Sequence, residues 1–115
     1  PVAELVVAEL AAAADDQRRL VVYVGASWCE PCVAFHEAIA AGRIGAPLGG
    51  ARFLEFDLDR DGDRLREAGY TSRLIPLFVV PEADGRAGSR RTEGGIKGPG
   101  AVDNLVRRLG PLLKD

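Results

Sequence analysis

Leu20 to Ala26, LVVYVGA, is an unbroken apolar run rich in β-branched valine. A polar break, Asp15-Asp16-Gln17-Arg18-Arg19, precedes it, and glycine closes it. Its length and composition are those of a strand, and the absence of polar alternation makes it a strand buried on both faces. Such a strand cannot lie at a wet edge. The rest of the chain must supply cover for it.

The flanking patterns are expected to do so. Val2, Leu5, Val6 and Leu10 recur at helical spacing, with Glu4 and Glu9 off that face, which predicts an amphipathic helix over 2–14. PCVAFHEAIAA, 31–41, reads as a helix with Pro31 in its first turn and Phe35 and Ile39 on one face. The stretch 42–50 is a loop. RFLEFDLD, 52–59, alternates Phe53/Glu55/Asp57 against Leu54/Phe56/Leu58, a second strand. Residues 60–70 form a short helix ending at Gly69. LIPLFVVP, 74–81, is a strand, EADGRAG a turn, and 90–98 a weak strand with Gly94-Gly95 marking a bulge. Pro99 to Leu113 is a closing helix with Val102, Leu105, Val106, Leu109 and Leu112 inward. The order α β α β α β β α gives parallel pairing where a helix intervenes and antiparallel pairing across the ADGR turn.

The 115 residues fit one domain, 1–115, and at 47% hydrophobic they fill a core without covalent staples. With a net charge of −2 and arginines scattered among acids, no nucleic-acid partner is indicated. Arg90-Arg91, the densest basic spot, reads as a solvated turn. No apolar run approaches the roughly 18–20 residues of a membrane span. The chain begins at Pro1 and has no methionine, so its start is processed or cut, and a targeting segment would be lost with it. The compartment is left open by two cysteines whose chemistry can be catalytic, with an extracytoplasmic setting favoured.

Both cysteines and the single tryptophan lie in SWCEPC, Ser27 to Cys32, directly after the buried run. Zinc needs four ligands, and one CxxC with one histidine, His36, falls short within a single chain, leaving only a site shared across a dimer. A structural disulfide would close a very small loop and gain little. Copper handling by the two thiols has no support from methionine or further histidines. Position favours redox chemistry. Cys29 opens a helix, where free N–H groups and the dipole stabilise a thiolate. Cys32, one turn on, is within disulfide reach but faces the interior. Cys29 would therefore be the exposed nucleophile and Cys32 the shielded resolving thiol.

WCEPC after a buried strand, RLIP at 73–76 and KGPGAVDNLVRRL near the end together resemble thioredoxin, in order and spacing, over nearly the whole chain. The resemblance implies an α/β thioredoxin fold: a central mixed β-sheet flanked by α-helices, a βαβ unit followed by a ββα unit, and Pro76 in a cis peptide facing the cysteines. It implies that Trp28, Pro31, Ile75 and Pro76 form a substrate groove. It further implies a monomer acting on a disulfide-containing protein, with electrons from a dithiol protein and with no organic cofactor or metal.

The chain departs from thioredoxin at several positions. Glu30 replaces a glycine, Tyr23 a buried aspartate, Glu55 a lysine, and Glu37 a kinking proline. In these respects it is more similar to the broader thioredoxin-like group, which includes the C-terminal domains of bacterial transmembrane thiol–disulfide reductases. Those carry an acid four positions after the second cysteine, where this chain has His36. The expected function is a protein-disulfide reductase, because Glu30 places negative charge beside Cys29 and opposes the strong thiolate stabilisation of an oxidant. The rival is a thioredoxin-fold binding module, for a partner protein or copper, with an incidental CxxC. His36 shares a helix face with Cys32 and is expected to point inward with it. His36 or Glu55, bonded to each other, would then take the Cys32 proton in place of the missing aspartate.

Overall fold

In the computed structural model, which describes residues 1–45 and 48–114, the elements run α1 (Val2–Asp15), β1 (Leu20–Gly25), α2 (Glu30–Ala40), β2 (Arg52–Asp57), α3 (Leu58–Glu67), β3 (Leu77–Val79), β4 (Arg91–Glu93) and α4 (Ala101–Leu112). The four strands form one mixed sheet in the order β2-β1-β3-β4. β1 runs parallel to β2, with Tyr23 opposite Glu55, and antiparallel to β3, with Tyr23 opposite Phe78. β3 and β4 are antiparallel.

The apolar run earns its inner place by feeding two cores. Leu20, Val22 and Val24 face one side, with Leu77 and Val79, against Val2 and Val6 of α1 and Leu65 of α3. Val21 and Tyr23 face the other, with Phe78, against Phe35 of α2 and Leu105 and Leu109 of α4. On this second side the aromatic rings interlock. Tyr23 stacks on Phe78 at 4.8 Å between centroids, and Phe35 meets Phe78 edge-on at 5.0 Å. Each such side chain stabilises by roughly 1.5–3 kcal/mol through burial alone.

The two layers are joined by specific polar contacts. Asp57 caps α3, accepting from the Asp59 N–H at 3.0 Å, and buried Asp61 accepts from the Asp57 N–H at 3.3 Å. The Tyr70 hydroxyl donates to the Gly85 carbonyl at 2.7 Å, tying the β3–β4 turn to the segment after α3. Gly85 has φ +85°, and a Cβ there would stand 2.1 Å from the Ala3 carbonyl oxygen. Only glycine fits so close a backbone approach.

Several expected details change. Leu5 is exposed, because Val2, Val6 and Ala13 carry the buried face of α1. Leu58 and Asp59 belong to α3, since the Asp57 cap starts the helix there. The strand expected over 74–81 is only Leu77–Val79, and that over 90–98 only Arg91–Glu93, with Gly94 at φ +79° ending it. The loop 42–50 buries Ile44 and Leu48; Ala46 and Pro47 within it lie outside the described residues. Arg90-Arg91 is a tie rather than a solvated turn. Arg91 donates to the Thr71 and Gly69 carbonyls at 2.8 and 3.2 Å, and Arg90 to those of Leu112 and Lys114. No helix among the described residues is long and apolar enough to cross a membrane.

Candidate active site

β1 delivers the chain to the cysteine pair. After Gly25 the backbone turns through Ala26–Trp28, and Cys29 becomes the N-cap of α2 in an extended conformation, φ −98° and ψ 109°. Its Sγ accepts the Cys32 N–H at 3.3 Å, the position a capping oxygen would take. The two sulfurs are at bonding distance, 2.23 Å, with Cα atoms 5.2 Å apart. A Cβ on Gly25 would fall 3.1 Å from the Cys32 Cβ, so the strand end passes tight against the second cysteine.

The expected contrast between an exposed Cys29 and a shielded Cys32 is reduced. Cys29 is 7% exposed and Cys32 2%. Cys29 is sheltered because its sulfur lies 3.8 Å from the Ile75 carbonyl oxygen and the residue packs against Ala26 and Ile75. It remains the more open of the two.

A cleft of about 390 Å³ opens on the Cys32 side. Tyr23 forms part of its wall, and the Tyr23 hydroxyl donates to the Cys32 carbonyl at 2.5 Å. Burial, reinforced by the charge of Glu55, pushes the phenol's pKa up, so it stays a donor. Glu55 stands opposite Tyr23 on the edge strand β2, and the His36 Nδ1 meets its Oε1 at 2.7 Å. His36 does not point inward with Cys32. Its side chain is 63% exposed, because Phe35 and Ala38 fill the buried face of α2 while His36 reaches over β2 to the carboxylate. The hydrogen bond to Glu55 and then its charge raise the histidine's pKa, Glu37 adds to this, and partial desolvation opposes it.

The Cys29 side carries a second groove, about 650 Å³, whose lining includes Trp28, Pro31, Leu74 and Ile75. Trp28 is 65% exposed, and its indole N–H donates to Asp59 Oδ2 at 2.9 Å. Leu74 is 60% exposed. The Ile75–Pro76 peptide is cis, and Pro76 is buried. The far wall is the loop after β4. A Cβ on Gly95 would fall 3.1 Å from the Pro31 Cβ, so the loop packs directly on the CxxC proline. The Glu30 carboxylate ties the same loop down by accepting the Gly98 N–H at 2.7 Å.

Pro76 also leaves a gap in the β3–β4 ladder. The Gly94 N–H donates to the Pro76 carbonyl at 2.9 Å, but proline has no N–H to return to the Gly94 carbonyl. Arg108 of α4 supplies that donor, its Nη1 reaching the Gly94 oxygen at 2.7 Å. Its Nη2 reaches the Glu93 carbonyl and Thr92 Oγ1, each at 2.7 Å.

The structure thus gathers Trp28, Cys29, Pro31 and Ile75 on one groove, and Cys32, His36 and Glu55 on the other cleft. Among the described residues no group of three or more His, Cys, Asp or Glu side chains stands together as a metal site needs. Sequence reasoning did not find Arg108, Asp59 or the Glu30–Gly98 tie. None carried a sequence signal, because each contact depends on a partner distant in the chain. No protein-family model matches the chain, and no curated protein matches it.

Proposed function

We propose that this chain is a thioredoxin-like thiol–disulfide oxidoreductase that reduces protein disulfides. One observation carries the reading: Cys29 and Cys32 stand at bonding distance with the Cys29 sulfur in the N-cap position of α2, accepting the Cys32 N–H. In the reduced form that N–H and the helix end favour a Cys29 thiolate. The thiolate attacks one sulfur of the substrate disulfide. A Cys29–substrate bond forms, the substrate S–S bond breaks, and the first substrate thiolate leaves. Cys32 then gives up its proton and attacks the Cys29 sulfur. The Cys29–Cys32 bond forms, the mixed disulfide breaks, and the second substrate thiolate leaves. Two electrons pass to the substrate, and a dithiol protein restores the pair.

The Cys32 proton needs an acceptor in the cleft on its own side. Glu55 and His36 line that cleft with Cys32. The Glu55 carboxylate is the acceptor, and His36, whose Nδ1 meets it at 2.7 Å, is the group that positions it. Trp28, Pro31 and Ile75 line the groove in which the substrate lies against Cys29, whereas Pro76, expected there as well, is buried and does not line it. Glu30 keeps negative charge near the nucleophile, which favours reduction over oxidation as the working direction.

The test uses single cysteine variants against a disulfide-bonded model protein. Cys29→Ser is expected to abolish reduction. Cys32→Ser is expected to form a mixed disulfide and stop there, detectable by mass. Equal reduction rates in wild type and both variants would leave the groove as a docking surface with an incidental cysteine pair.

A further inference from the structure

We propose that the groove beside Cys29 selects protein disulfides flanked by acidic residues, through Arg73 and Lys97. The proposal rests on the disulfide-exchange reading and names its substrate class.

The argument is one of uncompensated charge. The whole chain carries a net charge of −2, yet the groove is lined by Arg66, Arg73 and Lys97 against a single carboxylate, Glu30. Glu30 is engaged with the Gly98 N–H at 2.7 Å, and Arg66 is paired with Asp63 at 2.9 Å. Arg73 and Lys97 are exposed, and neither has an ion-pair partner among the described residues. They belong to different segments. Arg73 precedes the Leu74–Pro76 stretch, whereas Lys97 lies in the loop after β4 that packs on Pro31.

The sign reverses across the cysteine pair. The Cys32 cleft is lined by Glu37, Glu55 and Asp57 against Arg60 and His36. An acidic segment is therefore attracted to the side where Cys29 is reached and disfavoured on the other. Complementary charge of this kind raises the encounter rate and fixes register more than it adds raw affinity. The apolar contact area of Trp28, Leu74 and Ile75 supplies the sequence-tolerant part of binding, and the two cations choose among flanks.

The test compares three disulfide-bonded peptides of equal length, with glutamate, serine or lysine on both sides of one cysteine. Reduction by the full chain is followed as kcat/KM at low and at high salt. The glutamate peptide should lead and the lysine peptide trail, by roughly 1.5- to 5-fold per cation, the range that exposed ion pairs span. The spread should collapse at high salt, where the Debye length is about 3 Å at 1 M. The double variant Arg73→Glu/Lys97→Glu should reverse the order. Equal rates for the three peptides in wild type, or an unchanged order in the double variant, would overturn the proposal while leaving disulfide exchange intact. If no peptide is reduced, the exchange reading itself fails. Binding of the same peptides, followed by Trp28 fluorescence, then decides charge selection: tighter glutamate-peptide binding that reverses in the double variant supports it, and equal affinities overturn it.

Discussion

The Tyr23 hydroxyl donates to the backbone carbonyl of Cys32 at 2.5 Å, linking the central strand to the helix turn that carries the second sulfur. The phenol is buried and remains protonated, so this is a permanent bond at the base of the site. Tyr23→Phe keeps the ring stack on Phe78 and removes only the hydroxyl. A loss of about 1 kcal/mol is expected, near the average for such a bond. For a domain of 115 residues that is a fall of about 4 °C in Tm, read by thermal melting. An unchanged Tm would show that the bond contributes nothing net.

Gly85→Ala should be far more costly than a turn position alone suggests, because Gly85 is buried. The new Cβ meets the Ala3 carbonyl, and φ is +85°. Gly42→Ala is the control, because φ is +73° there with nothing within 4 Å. The control should lose only the left-handed backbone cost of roughly 1–2 kcal/mol. Gly85→Ala should lose clearly more in urea denaturation, through separation of the β3–β4 turn from α1. Equal losses would mean that the turn moves aside freely.

His36 is the single histidine, so its imidazole resonance titrates without overlap. Its pKa should lie above the ordinary value of about 6.5 and fall toward it in Glu55→Gln. The sign for stability follows. A pKa raised in the folded state adds stability that is complete below the unfolded value and fades as pH rises through the folded one. The side chain is mostly exposed, so the effect should be small and salt-sensitive. A titration identical in wild type and Glu55→Gln would remove the pair from consideration.

Resolution of a preformed mixed disulfide on Cys29 should slow in Glu55→Gln, by about 10²-fold at most if general-base catalysis operates at its usual lower bound. His36→Gln should shift the pH profile of the same step and reduce its rate less. Release rates unaffected in both variants across the pH range would assign the proton to solvent.

The strand LVVYVGA, the helix opened by the cysteines and the order of all eight elements are legible from apolar patterning, because each rests on many residues pointing the same way. Strand limits are less so. Arg52–Asp57 ends early because Asp57 caps α3, a choice decided by one side chain. Leu5 appeared inward by spacing, but the stripe of α1 that meets the sheet runs through Val2, Val6 and Ala13. At the site, the cysteine pair was legible from adjacency. The direction of His36 was not, because a long polar side chain at the edge of a buried face follows its partner rather than its helix. Arg108 was hidden for a similar reason: its role depends on the missing N–H of Pro76, distant in sequence.

Arg108 bears on more than the ladder it repairs. β4 is a sheet edge, and residues along an antiparallel edge alternate between groups turned to the partner strand and groups turned outward. The Gly94 and Pro76 pairing faces inward, which leaves Glu93 with its carbonyl outward, and Arg108 Nη2 occupies that oxygen at 2.7 Å. An edge of three residues with an acceptor already taken is a poor template for an added strand. The cation that completes the proline-bearing ladder thereby also blunts the β4 edge against an added strand, so its loss should show first as aggregation on concentration.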